Sequence, residues 1–187
     1  MARAPFQVIV IPFLKAASSE PRYGIFKRRT HEMWQAISGG GEDIETPLEA
    51  AIRETLEETG VAGRNGWVCL QSRASVPASA FSGTDHWPRD LFVVPEYAFG
   101  LAVSDTNVEL SAEHSECAWL PFHKAHQRLT WDSNRVALWE LHCRIQGLPP
   151  RETADPALVH RAGPAQRSSV LGSTESSELS EREPGRR

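Results

Sequence analysis

The chain has 187 residues, 40% of them hydrophobic and 24% charged, with a formal net charge of -4. That is enough for one domain with a real core and an appended tail, and too little for two ordinary enzymes. An acidic balance without clustered Lys or Arg gives no reason to expect a nucleic acid or an anionic membrane as partner.

Residues 6–14 are rich in Val and Ile and read as a buried strand. The run is short, carries Pro12 and leads into another strand-like segment, which argues against a secretion signal. A polar loop over 16–22 leads to a second strand over 23–28, and 34–37 is a brief extended piece running into the glycine-rich loop Gly39-Gly40-Gly41.

The clearest helix signals come next. Thr46 is a good N-cap, Pro47 suits the first helical position, and Glu49 completes a Thr-x-x-Glu capping box, while Gly60 is placed to end the helix. Leu48, Ala51, Ile52, Thr55 and Thr59 share one face at helical spacing and should pack on a sheet.

Strands are expected over 67–75 and 91–103, separated by a long loop over 76–90 of the kind that is often functional. A short strand over 117–120 follows, then a helix from Pro121 and a last helix over 131–145, with Val136, Leu138, Trp139, Leu141, Cys143 and Ile145 as its apolar residues. From Pro149 the composition turns to Pro, Ser, Glu, Arg and Gly, too polar to offset ordering entropy. The division expected is a folded domain over 1–148 and a disordered tail over 149–187.

Cys69, Cys117 and Cys143 are odd in number and widely spaced, which suggests reduced, cytoplasmic thiols rather than disulfides or a zinc site. No segment approaches the roughly 20 apolar residues of a membrane span.

The stretch from Gly39 to Val61 carries the chemistry. Glu54, Glu57 and Glu58 stand at i, i+3 and i+4, so a helix gathers three carboxylates on one side, where they repel. Taken alone, the cluster fits a solvated acidic face better than a metal site, since that is the usual fate of a charge run. The neighbouring residues shift the balance. Arg53 can hold carboxylates by bidentate hydrogen bonds, and the glycines allow close backbone approach. A hard cation such as Mg²⁺, or Mn²⁺ in its place, would relieve the repulsion through oxygen ligands.

The segment resembles the Nudix box, G-x5-E-x7-R-E-U-x-E-E-x-G-U, with U aliphatic. Gly39, Glu45, Arg53, Glu54, Glu57, Glu58, Gly60 and Val61 fall on required positions, and Thr55 at an aliphatic position is the departure. The resemblance implies an α/β/α sandwich with a mixed sheet and Mg²⁺-dependent hydrolysis of a nucleoside diphosphate linked to another group. Glu54, Glu57 and Glu58 would then be metal ligands, Arg53 and Glu45 would brace the loop and helix, and Gly39, with Gly40 beside it, would permit the turn.

Outside the box, Trp34-Gln35, Glu113-His114 and the run from Trp131 to Arg135 resemble the bacterial dihydroneopterin triphosphate pyrophosphatases, also known as dATP pyrophosphohydrolases. That likeness implies Glu113 as a further metal ligand, leaves Glu54 and Glu113 both open as general base, and leaves room for a homodimer. The substrate expected is a nucleoside or pterin triphosphate. Pro77, 16 residues after Val61, keeps ADP-ribose or a nucleotide sugar as an alternative, and a non-catalytic ligand sensor is the other.

Weaker candidates for substrate contact are His86, Arg89 and Arg73 around the long loop, and Arg135, although single basic residues are more often simply solvated. Trp34 is the tryptophan best placed to stack on a base. Trp119, Trp131 and Trp139 sit in apolar patterns and read as core or partly buried.

Overall fold

The computed structural model describes residues 2–15, 19–63 and 65–148. The tail expected over 149–187 lies outside them.

Seven strands form one mixed sheet. β1 (Arg3–Leu14) runs through its middle, parallel to β6 (Val93–Ala102) on one side. On its other side β1 pairs antiparallel with β4 (Ile37–Glu42) and, at Phe13 and Leu14, with β2 (Arg22–Arg28). β3 (Trp34–Gln35) and β7 (His114–Pro121) pair with β2, and β5 (Trp67–Pro77) closes the far edge beside β6.

The continuous apolar run of β1 follows from burial on both faces. Val8 and Val10 point to the side of α1 (Pro47–Thr59), where Ile37, Ala50, Ala51, Phe99 and Leu101 complete one core. Ile9, Ile11 and Phe13 point the other way, onto α2 (Phe122–Arg128) and α3 (Asp132–Gln146) through Phe122, Leu138 and Leu141. Each fully buried Leu or Ile contributes roughly 1.5–3 kcal/mol. The result is the expected α/β/α sandwich.

α1 begins and ends as its sequence signals require. The Thr46 hydroxyl accepts from the Glu49 amide, Glu49 reaches back to the Thr46 amide, and Gly60 closes the helix at φ 68°.

Several expectations are corrected. Gly39, Gly40 and Gly41 lie within strand β4, paired to β1, so they serve close approach rather than a turn. β1 starts at Arg3, earlier than the apolar run suggests, because Arg3 pairs with Glu42 beyond an irregularity in the ladder. β7 starts at His114, since its polar first half is held by pairing with β2. The inward face of α1 is rotated from the one expected: Ala50 and Glu58 are buried, and Ile52 is 39% exposed. Trp131 is 48% exposed at the N-cap of α3, outside the core, and Val136 is exposed one turn later.

Candidate active site

Where β4 passes the middle of α1, a polar cleft of about 500 Å³ opens. Its lining includes Gly39, Gly40, Glu42, Glu54, Glu58 and Glu113, faced by Arg3 and Arg28.

Arg53 organises the box. Its Nε and Nη2 donate to the two carboxylate oxygens of Glu45 at 2.9 and 3.0 Å, and Nη2 also donates to the Gly40 carbonyl at 2.8 Å. Nη1 donates to Glu54 at 2.9 Å and to Glu57 at 3.1 Å. One planar guanidinium thereby ties strand β4, the loop after it and two carboxylates of α1 together, which an ammonium could not do. The Arg53 hydrogen bonds hold the Glu45 carboxyl below its ordinary pKa.

Glu58 is 4% exposed, and its Oε2 is buried without a hydrogen-bond partner. Burial, followed by the charges of Glu54 and Glu113, pushes its pKa up to about 9. Burial likewise raises Glu54, against the pull of Arg53. His114 Nδ1 lies 3.8 Å from Glu58 Oε2, yet burial lowers the His114 pKa while Glu58 is raised, so at neutral pH this is a contact of two neutral groups rather than an ion pair.

Glu113 is far from α1 in sequence and is brought to it by backbone hydrogen bonds. The Glu109 amide donates to the Thr59 carbonyl and the Ser111 amide to the Glu58 carbonyl. Arg29 at the end of β2 donates to the carbonyls of Ala112 and His114. Glu113 itself pairs with Arg28 at 2.9 Å.

The carboxylates do not all converge. Among the described residues no three such side chains stand in a metal-ligating arrangement. Glu57 is exposed and turned to Arg53, outside the cleft lining. The donor set nevertheless suits a hard divalent cation: all its members are oxygens, and Oε2 of Glu58 and Oε2 of Glu42 are buried without a hydrogen bond, the latter with only Arg53 at 3.9 Å.

The weaker candidates fare less well. Trp34 is 7% exposed, packs into the core and carries the Arg128 guanidinium 3.9 Å over its ring, so it offers no free face for base stacking. Arg135 pairs with Asp132, and Arg89 is exposed away from the cleft. His86 is outside the lining and binds its edge, with Nε2 2.8 Å from the Arg3 carbonyl, which also accepts from Trp87 Nε1. In the resembling run from Trp131 to Arg135 it is Asn134 that is buried, accepting from the Ala36 amide at 2.8 Å to dock the start of β4 on α3.

Sequence reasoning missed Arg3, Arg28 and Glu42. Arg3 lies flat over Gly40 and its guanidinium stands 4.7 Å over the Phe81 ring. Its Nε is buried without a partner. No local pattern marks it, because it reaches the site only through the pairing of β1 with β4.

The chain resembles known proteins in sequence and in fold. The NUDIX domain model matches residues 19–139. A Listeria monocytogenes protein described as a NUDIX hydrolase is 38% identical, with a TM-score of 0.69 over 77% of this chain and 96% of that one. The Escherichia coli dihydroneopterin triphosphate pyrophosphohydrolase shares the fold at 23% identity, with a TM-score of 0.62 over 76% of this chain and 98% of that one. A Myxococcus xanthus protein named octanoyltransferase is 33% identical over 137 residues, 72% of this chain, and the chain spans only 36% of that relative. With the family model covering more than half of its length and the box residues assembled beside one cleft, the chain belongs to the NUDIX family of hydrolases.

Proposed function

We propose that this hydrolase cleaves a nucleoside or pterin triphosphate to the monophosphate and pyrophosphate, with Mg²⁺ as the resident cation and Mn²⁺ able to replace it. The observation that carries the reading is Glu58: a carboxyl group almost wholly buried, one oxygen without a hydrogen bond, in the lining of a cleft that also carries Arg3 and Arg28. A solvated acidic face has no reason to bury a carboxyl group.

Glu58 and Glu54 would hold the cation, and Glu113 and Glu57, whose charges bear on Glu54 but which now pair with Arg28 and Arg53, would join them. When bound, the cation supplies charge neutralisation on phosphoryl oxygens and a lowered pKa for an attacking water. Arg3 and Arg28 are placed to take the oxygens of the phosphate chain. Water adds to one phosphorus as the bond to the leaving pyrophosphate oxygen breaks, and the water's proton passes to a carboxylate, Glu54 or Glu113. Among the described residues no disulfide joins Cys69, Cys117 and Cys143, and no helix is long and apolar enough to cross a membrane.

The test is product release from nucleoside triphosphates, dihydroneopterin triphosphate and ADP-ribose, with and without Mg²⁺ or Mn²⁺. Metal-dependent pyrophosphate from a triphosphate is expected. Two monophosphates from ADP-ribose would instead make it a nucleotide-sugar pyrophosphatase, and metal-loaded, folded protein that releases nothing from any of them would make it a ligand sensor.

A further inference from the structure

On the α3 face of the sheet, apart from the cleft, lies a second pocket of about 70 Å³. Glu96 on β6 lines it, together with Ile9, Ala98 and Val136 among others. Glu96 is 4% exposed. Its Oε2 accepts from Gln7 Nε2 at 2.6 Å, and the Ser133 hydroxyl also hydrogen-bonds it. No cation bears on it among the described residues: Arg73, although in the lining, stacks over Tyr97 and donates to the carbonyls of Leu70 and Ser72.

Two neutral donors leave a buried carboxylate short of partners, since it has about four lone-pair sites. Burial accordingly raises the Glu96 pKa.

The pocket is positioned relative to the cleft by strand register. Gln7 on β1 has Gly40 of β4 as partner on one side and Glu96 of β6 on the other. Partners in register place side chains on the same face. A Cβ on Gly40 would meet the Arg3 guanidinium, so Arg3, Gln7 and Glu96 share that face. Two strand spacings separate Gly40 from Glu96, about 10 Å, a span that a nucleotide covers from base to phosphate chain.

We propose that this pocket receives the edge of a flat heterocycle that presents a ring N–H beside an exocyclic amino group, as guanine and pterins do, with Glu96 accepting both hydrogen bonds between the apolar walls. The placement of the phosphates rests on the hydrolase reading above. Adenine presents a ring acceptor beside its amino group, which sets a lone pair against one carboxylate oxygen, so Glu96 selects against adenine nucleotides.

The test is calorimetric binding of GMP, IMP, AMP and neopterin monophosphate to the full chain without divalent cation, so that no turnover is needed. IMP differs from GMP only by the lost amino group. GMP or the neopterin ligand should bind at least about tenfold more tightly than IMP and AMP, the weight of one hydrogen bond to a charged acceptor, and the stronger of the two identifies the ring. In a folded E96Q protein, confirmed by its melting curve, that preference should fall to about twofold or less. Equal binding of all four by the native protein, no measurable binding of any, or an undiminished preference in E96Q would each overturn the proposal. Selective binding without hydrolysis would sink the hydrolase reading alone, whereas hydrolysis indifferent to the amino group would sink this one alone.

Discussion

The carboxylate of Glu54 fills the space where a side chain at Gly39 would begin: a Cβ at Gly39 would lie 1.8 Å from the Glu54 carboxyl carbon. With the Glu54 carboxylate in this position, residue 39 has no room for a side chain. Gly39→Ala must displace either the strand or the carboxylate. On the proposed function, a shift of about 1 Å at a metal-binding or proton-accepting group lowers kcat by about 100-fold. Steady-state kinetics on the best triphosphate substrate checks this, and a Gly39→Ala enzyme with native kcat would remove Glu54 from the machinery.

Glu58 separates function from stability. Its burial without a full set of partners costs stability in the metal-free protein, so Glu58→Gln should leave the metal-free melting temperature unchanged or raise it. Turnover should nevertheless fall by about 100- to 1,000-fold, the scale of losing one preorganised electrostatic group at a reacting centre. Millimolar Mg²⁺ should stabilise the native protein by about 1–3 kcal/mol, as expected for a ligand present at about 10 to 100 times its Kd. The variant should gain little. Equal Mg²⁺-induced shifts in melting temperature for both proteins would place the cation elsewhere.

Arg53→Lys tests the clamp. Lysine keeps the charge but cannot bond Glu45 bidentately while also reaching Gly40, Glu54 and Glu57. Because Arg53 is only partly buried, the loss expected is about 1–2 kcal/mol, discounted from the value for a fully buried pair. The urea midpoint should fall with an unchanged m-value, and kcat should fall with it as Glu54 loses its orientation. A stable but inactive variant would show that Arg53 serves orientation alone.

The helix and its chemistry were legible because capping and acidic spacing are local: Thr46, Glu49, Gly60 and the glutamate triplet each act within a few residues. What pairs at long range was not. Arg3 and Arg28 enter the cleft through β-ladder register, and Glu113 through hydrogen bonds from its loop to the end of α1. Helical periodicity put Ile52 inside because it is apolar, yet the face turned inward carries Glu58. Thr55, the departure from the box, is buried and donates to the Ala51 carbonyl at 2.7 Å, so its hydroxyl is satisfied within the helix and disturbs nothing beyond it. Trp34 misled because a tryptophan beside a catalytic strand is ambiguous until its ring has a direction.

A pH-sensitive contact lies away from the cleft. His142 on α3 stacks on Phe122 with ring centroids 4.2 Å apart, and its Nδ1 lies 2.7 Å from the Tyr23 hydroxyl. Burial, followed by the nearby His123, lowers the His142 pKa, while burial keeps the Tyr23 phenol protonated and donating. In the unfolded chain a histidine titrates near its ordinary value of about 6.5. Above that pH both states hold it neutral and the stability is intact. As the pH falls below it, the unfolded chain binds the proton first, and stability is lost until the folded form also protonates. The urea midpoint should therefore decline between about pH 6.5 and 5. His142→Gln retains an acceptor for Tyr23 but cannot titrate, so its decline over that window should be shallower than that of the native protein. Parallel declines would mean that other groups set the slope and that His142 titrates alike in both states.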